Sequence, residues 1–431
     1  MNKQKNERLF KIIQKHVLDH NLSHVGYLST YPPRECGIAN FTKDLIGSIY
    51  ELSKLKSSVI AINEKGSIHD YGEEVKRIIC RDKIEDYVKA AEYINSSNIQ
   101  LLVLQHEFGL YGGDYGANIK VLLENIKKPV ITTLHTVQPN FDQKAIETLR
   151  YIVDKSEAIV VIAKAAINML KNQGISCKKC VVIPHGCPSI EYKNKKSIKK
   201  TLDLKGRLVV STFGLMSSGK GIEYAIQALP DVVKKEPQII YLIIGETHPE
   251  VRKNEGEKYR NRLTKLVSEL NLEKNVRFIN KFVTKDELNN FLQATDIYLT
   301  PYKSPNQISS GTLIYALGAG TAVVSTPYYH AQEVLANDRG IFCNFEDPAS
   351  IAVGISKLLD ESLRVEIQNR AYKYSRRFLW KNVAKKYVNL IKSITENKEV
   401  IKVDNTANKT RFCQNSDRRC RNAPAFEIFN T

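Results

Sequence analysis

Several residue clusters along the chain combine types and spacings that could do chemistry. The segment TYPPRECGIANFT, at 30–42, holds Pro32 and Pro33 in a stiff turn, then Cys36 and Gly37 at the start of a helical pattern. The free N–H groups of such a helix start could face an anion, and a thiol placed there would be activated. No His–Asp set accompanies Cys36, so an ordinary strand–helix turn stands beside the ligand reading. Gln105-His106-Glu107-Phe108-Gly109, followed by Gly112-Gly113-Asp114, closes one apolar run, and His135-Thr136 closes another. Imidazole and carboxylate at such ends could bind hydroxyls or orient an acceptor, with a core histidine as the ordinary alternative. Cys177, Cys180, His185 and Cys187 are zinc ligands by type. However, Cys180–Pro184 also reads as a strand, whose alternating side chains would point apart.

Two further clusters suit phosphate. Gly214-Leu-Met-Ser-Ser-Gly219-Lys220-Gly221 has the glycine spacing of a phosphate loop. Gly221 stands where a magnesium-holding hydroxyl would be needed, so a cation and backbone donors remain without triphosphate–magnesium chemistry. Ser309, Ser310, Gly311 and Thr312 open a helical stretch that runs to Leu317. Capping explains one hydroxyl, whereas three with a glycine suit a phosphate or a sugar.

The elements that must position these residues alternate regularly. β-branched runs at 25–30, 58–63, 101–106, 129–135, 158–163 and 180–185 are separated by helical patterns such as Ile38, Phe41, Leu45 and Ile49. After a Lys-rich pause the pattern restarts with strands at 207–213, 239–245, 275–279, 296–300 and 321–326, and it turns helical over 346–360, 362–373 and 376–394. Strands buried on both faces and alternating with helices imply parallel, doubly wound sheets. The expected fold is therefore α/β, with two Rossmann-like domains and C-terminal helices. The expected division is a helix over 1–21, a first domain over 22–190, a basic linker over 191–206, a second domain over 207–375, a helix over 376–395 and a polar tail over 396–431. Ligands in such sheets bind beyond the carboxyl ends of the strands, so the cleft between the domains is the expected site.

Composition narrows the classes. The chain has 431 residues, 42% of them hydrophobic and 26% charged, which excludes wholesale disorder and a channel-like protein. Its eight cysteines are too scattered for a disulfide scaffold and favour a reducing compartment. Of the net charge of +18, segment 191–207 supplies +5, from seven Lys/Arg against two acids. The remainder is diffuse and not interleaved with aromatics, so nucleic acid is not an expected partner. The N-terminus lacks the apolar run of a signal peptide, and the uncharged stretch 304–332 is broken by glycine and proline. A cytoplasmic protein is expected. The basic N-terminal helix either packs on the first domain or lies on the inner face of an anionic membrane.

These motifs, in this order, resemble a family-4 (group 1) retaining glycosyltransferase of GT-B fold. The resemblance spans about residues 22–395 and is closer to a bacterial subgroup with TYPP-x-x-CGIA, QHEFG-x-YGG, IPHG and QISSGTL-x-YALGAG. It implies that Lys220, on the loop opened by Gly214, is the family's phosphate-binding lysine; the helix start at Ser309, Ser310, Gly311 and Thr312, with Gly37 at the opposing one, completes the expected donor-phosphate residues. Leu215 occupies the position of the family's phosphate-binding arginine. The family's two glutamates fall on Gln307, at the donor sugar, and Tyr315, at the ribose. His135, with Glu107, would meet the transferred sugar or the acceptor.

The implied activity is hexosyl transfer, mannosyl or glucosyl first, from a nucleoside diphosphate sugar. The acceptor would be a hydroxyl of a glycan, a lipid-linked acceptor or a small molecule. The anomeric configuration would be retained, with no metal and no cofactor. Two alternatives are a non-catalytic nucleotide-sugar-binding protein, suggested by the missing glutamates and arginine, and a phosphorylase-like enzyme acting on sugar phosphates.

Overall fold

The computed structural model describes residues 22–190 and 194–396. The N-terminal helix expected over 1–21 and the polar tail from 397 onward lie outside these residues.

The first part of the chain forms β1 (His24–Ser29), α1 (Gly37–Ser53), β2 (Lys56–Asn63), β3 (Val75–Cys80), α2 (Ile84–Ser96), β4 (Leu101–His106), α3 (Ile119–Asn125), β5 (Val130–Leu134), α4 (Gln143–Lys155), β6 (Ala158–Val161), α5 (Ala165–Asn172) and β7 (Cys180–Val182). The second forms α6 (Lys195–Thr201), β8 (Leu208–Phe213), α7 (Ile222–Val233), β9 (Ile239–Ile244), α8 (Pro249–Glu255), α9 (Lys258–Glu269), β10 (Val276–Ile279), α10 (Lys285–Ala294), β11 (Ile297–Thr300), α11 (Gly311–Gly318), β12 (Ala322–Ser325), α12 (Tyr329–Leu335) and β13 (Ile341–Phe342). Helices α13 (Pro348–Lys357), α14 (Glu361–Ser375) and α15 (Trp380–Thr395) follow.

The strands form two parallel sheets, in the orders β3-β2-β1-β4-β5-β6-β7 and β10-β9-β8-β11-β12-β13. Strands β2, β4, β5, β6, β9, β11 and β12 are apolar runs almost wholly buried, as strands covered by helices on both faces must be. Four apolar clusters, two per domain, fill the layers between sheets and helices. The edges β3 and β13 were not expected from the sequence. β3 (VKRIIC) is largely exposed and carries Lys76 and Arg77, as a blunted edge does, and β13 has two residues.

In each sheet the order reverses once, between β1 and β4 and between β8 and β11. Connections there leave toward opposite faces and open a crevice beyond the strand ends. The turn after β1 carries Arg34 to Gly37, the turn after β4 carries Glu107, the loop after β8 carries Gly214 to Lys220, and the loop after β11 leads into α11. The Lys-rich stretch includes α6, whose Lys195 and Lys199 bind the two oxygens of Asp296 at 2.8 and 2.5 Å.

The chain finally returns to the first domain. Trp380, Val383, Ala384, Tyr387 and Ile391 of α15 pack with Phe41, Leu45 and Ile49 of α1. Buried Tyr387 also hydrogen-bonds Thr133 of β5 at 2.9 Å. Among the described residues, no helix is long and apolar enough to cross a membrane.

Candidate active site

A cavity of about 650 Å³ lies between the domains, and side chains of both line it. Gly37, Glu107, His135 and Thr136 stand on the first-domain side; Gln307, Ser309, Gly311, Thr312 and Tyr315 stand on the second. A narrower pocket of about 310 Å³ shares Gln307, Ser309, Gly311 and Thr312 with it and adds Lys220, Tyr302 and Ser310.

The second pocket has the character of an anion site. Ser310 caps α11, its Oγ accepting from Leu313 N–H at 3.3 Å, and its own N–H donates to His330 Nδ1 at 2.8 Å. Tyr302 Oη lies 2.9 Å from Thr312 Oγ1, and Lys220 Nζ lies 3.2 Å from the same Tyr302 oxygen. Burial pushes the Tyr302 hydroxyl up, but Lys220 and the surrounding hydroxyls overcome this and hold its pKa below the usual tyrosine value. Gly214, with φ +120°, allows the convergence: a Cβ there would stand 3.2 Å from Thr312 Cγ2 and 3.5 Å from Lys220 Nζ. An ammonium, three hydroxyls and the free amides of a helix start thus meet in one place, which suits a phosphate.

Across the cleft, His135 Nε2 pairs with Gln105 Oε1 at 2.8 Å, and its ring meets Phe41 edge-on at 4.9 Å. Burial, with smaller contributions from His185 and His106, depresses its pKa to about 3, so it is neutral at physiological pH. With its one proton on Nε2 donated to the Gln105 oxygen, its Nδ1 is left as an acceptor, and the ring cannot act as a charged acid. Glu107 accepts from Phe108 N–H at 3.0 Å and from Thr136 Oγ1 at 2.5 Å. Burial raises its pKa, and these two bonds pull against the rise.

Both histidines at strand ends were expected at the cleft, but only His135 lines it. His106 is fully buried beside Phe108, with ring centroids 5.0 Å apart, and stacked on Tyr111 at 6.1 Å. Strand alternation turns it into the helix layer while Gln105 supports His135. The Cys–His set that matches zinc ligands by residue type alone is divided in space. Cys177 and Cys180 pack against the first-domain core, Cys187 is buried against the second, and His185 sits between Phe41 and Gly311. Among the described residues, no group of three or more His, Cys, Asp or Glu is placed to hold a metal ion.

Gln307 lines both pockets, and its amide donates to Ser309 C=O. Tyr315 faces the cavity, but its hydroxyl donates to Asp44 of α1 at 3.0 Å. Leu215 lines a further lobe of about 460 Å³ beside Arg34, Glu64 and Lys253. Gly37 opens α1 at the cavity wall, where a Cβ would meet nothing within 4 Å. Cys36 lines the same wall, its Sγ 3.4 Å from Thr30 Oγ1. Sequence reasoning missed Tyr302, Asp44 and Lys285, which carry no motif, and it weighed His185 as a zinc ligand by type and not as part of the cavity wall. A Tyr two residues past a strand end was the one signal available for Tyr302.

Residues 193–378 match the family of group 1 glycosyl transferases. That group 1 segment contains the whole phosphate-type pocket. The chain is similar to an uncharacterized glycosyltransferase of Methanocaldococcus jannaschii, 26% identical over 246 residues, covering 55% of this chain and 59% of the relative. It is also similar to a D-inositol 3-phosphate glycosyltransferase of Corynebacterium urealyticum, 25% identical over 279 residues, covering 61% and 64%. The alignments thus span about three fifths of these relatives' lengths.

Among solved structures, Anabaena HepE in complex with UDP and glucose matches with TM-score 0.70 at 14% identity, covering 86% of this chain and 100% of that one. Sucrose-phosphate synthase of Thermosynechococcus elongatus matches with TM-score 0.72 at 16% identity, covering 87% and 100%. The fold is the two-domain GT-B architecture.

Proposed function

We propose that the protein transfers a hexosyl unit, mannosyl or glucosyl, from a nucleoside diphosphate sugar to an acceptor hydroxyl with retention of configuration. The observation that carries this is the convergence of Lys220, Tyr302, Thr312 and Ser310 at the start of α11, in a pocket that shares Gln307, Ser309, Gly311 and Thr312 with the interdomain cavity. HepE's complex with UDP and glucose supports a donor of this class.

In this reading Lys220 and the amides of Gly311 and Thr312 take up the charge that develops on the leaving diphosphate as the anomeric C–O bond breaks. Gly214 gives them room. Gln307 holds the donor sugar, and the oxygen of Tyr315 accepts from the ribose. His135, neutral, and Glu107 position the transferred sugar or the incoming hydroxyl of a glycan, a lipid-linked acceptor or a small molecule. Gly37 and the start of α1 close the opposite wall. Closure of the cleft excludes water that would otherwise hydrolyse the donor.

One observation favours a second reading, that of a nucleotide-sugar-binding protein without turnover. Gln307 is neutral and engaged with Ser309, and both oxygens of Glu107 are occupied. A thermal-shift panel of UDP, GDP, UDP-glucose and GDP-mannose, followed by assay of nucleoside diphosphate release, separates the readings. A ligand of the site stabilises the fold by mass action. Stabilisation without release over an acceptor panel supports the binding protein, and no stabilisation by any of the four removes both readings.

A further inference from the structure

Asp44 belongs to α1 of the first domain, yet both of its carboxylate oxygens are taken by side chains of the second. Oδ2 accepts from Tyr315 Oη at 3.0 Å, and Oδ1 accepts from Lys285 Nζ. The Asp44 side chain is only 10% exposed. Burial first, and then the Asp44 charge, push the Tyr315 hydroxyl well above the usual tyrosine range. The proton therefore stays on the tyrosine, which donates, and its oxygen keeps lone pairs for another partner. Tyr315 and Lys285 line the 650 Å³ cavity, and Asp44 stands behind them.

Another hydrogen bond crosses between the domains differently. Lys164 N–H donates to Glu333 Oε2 at 2.8 Å, and neither residue lines the cavity. The Asp44 contacts are set directly behind the wall that would meet a ligand. A hydrogen bond is lost beyond about 3.5 Å, so a small separation of the domains breaks both at once. A buried carboxylate stripped of its partners is strongly disfavoured, so the separated state must hydrate Asp44 and release Tyr315 and Lys285.

We infer that Asp44 is a positioning residue that acts across the cleft. It fixes the Tyr315 hydroxyl and the Lys285 ammonium in the cavity wall, so that this wall is complete only when the domains are closed. Ligand binding and closure are thereby coupled through one carboxylate. The inference rests on the reading of the cavity as a site for a nucleoside diphosphate sugar.

A double-mutant cycle with UDP as the probe tests it on the full chain, using Asp44→Ala, Tyr315→Phe and both together, with calorimetric Kd values. Each single change should raise Kd at least fivefold. The double change should raise it by clearly less than the product of the two, because one acts through the other. Fold-changes that multiply, or an Asp44→Ala variant that binds UDP like the wild type, would overturn the inference. Asp44→Asn keeps the side-chain volume and serves if the alanine variant does not fold.

A second arm needs no ligand. Small-angle scattering of the free protein should give a larger radius of gyration for the Asp44 variant than for the wild type, and an unchanged value would overturn the inference whatever UDP does. Failure of the wild type to bind UDP, with the scattering difference present, would instead count against the donor reading and leave the closing role of Asp44 supported.

Discussion

Gly311 and His185 touch where the two domains meet: a Cβ on Gly311 would stand 2.7 Å from His185 Nε2. His185 cannot easily give way. Its ring is flanked by Phe41 at 5.0 Å and Trp380 at 5.7 Å, and its Nδ1 lies 2.7 Å from Gly186 C=O. The start of α11 therefore presses directly on the first domain, and any side chain there must push the two apart.

Gly311→Ala should weaken UDP binding by at least tenfold while leaving the far-ultraviolet circular dichroism unchanged. Adding His185→Ala should recover part of the loss by making room. A double variant as weak as Gly311→Ala alone would show that the glycine matters for some reason other than this contact.

Lys220 is the cation of the phosphate-type pocket. It lies 4.7 Å from the centroid of the Tyr302 ring as well as beside its hydroxyl. Charge-assisted hydrogen bonds contribute about 1.5–3 kcal/mol, so Lys220→Ala should raise the Kd for UDP roughly 10- to 100-fold and abolish its thermal shift. Tyr302→Phe keeps the ring but removes the oxygen that joins Lys220 to Thr312, and a smaller loss is expected. Retention of the shift in the Lys220 variant would mean that the phosphates bind elsewhere.

Glu107 should separate binding from turnover. Its two oxygens are held by Phe108 N–H and Thr136, on the wall opposite the phosphate-type pocket. Glu107→Gln should leave the Kd for UDP within twofold of the wild type and lower kcat by at least tenfold. Isothermal titration paired with steady-state rates checks this. Equal losses in both would move Glu107 into donor binding.

The legible and illegible parts of this molecule differ for physical reasons. Buried strands such as β4 and β9 announce themselves because both faces must be apolar, and glycine-rich turns mark their carboxyl ends. From these, the two sheets and the placing of Lys220, Ser310 and His135 at one cleft follow. β3 was hidden because an exposed edge has no two-sided burial to impose a pattern. Asp44 was hidden for another reason: a carboxylate on an amphipathic helix looks like solvent-facing surface until the second domain arrives with Tyr315 and Lys285. His106 misled in the opposite direction, since chain position places it at the cleft and strand alternation turns it away. Contacts between domains far apart in sequence leave no local spacing to read.

The buried histidines make stability depend on pH in a definite direction. Burial depresses His106, His135 and His330 to about 3, from an ordinary value of 6.5. Between those values the unfolded chain binds protons that the folded chain refuses, so stability is fully present above about pH 6.5 and is lost as pH falls toward 3. Each histidine contributes a slope of about 1.4 kcal/mol per pH unit in that window. Glu107 and Glu333, raised by burial, act in the opposite sense above their ordinary value of 4.5 and moderate the fall. His106 is the cleanest probe, because neither ring nitrogen has a hydrogen-bond partner among the described residues. His106→Leu removes a titrating group without breaking a hydrogen bond. Urea unfolding at pH 7.5, 6.5 and 5.5 should show the wild-type midpoint falling below pH 6.5 and the variant falling less steeply, by about 1.4 kcal/mol per unit. Parallel slopes for the two proteins would mean that His106 takes up its proton in the folded state and is not sealed from water.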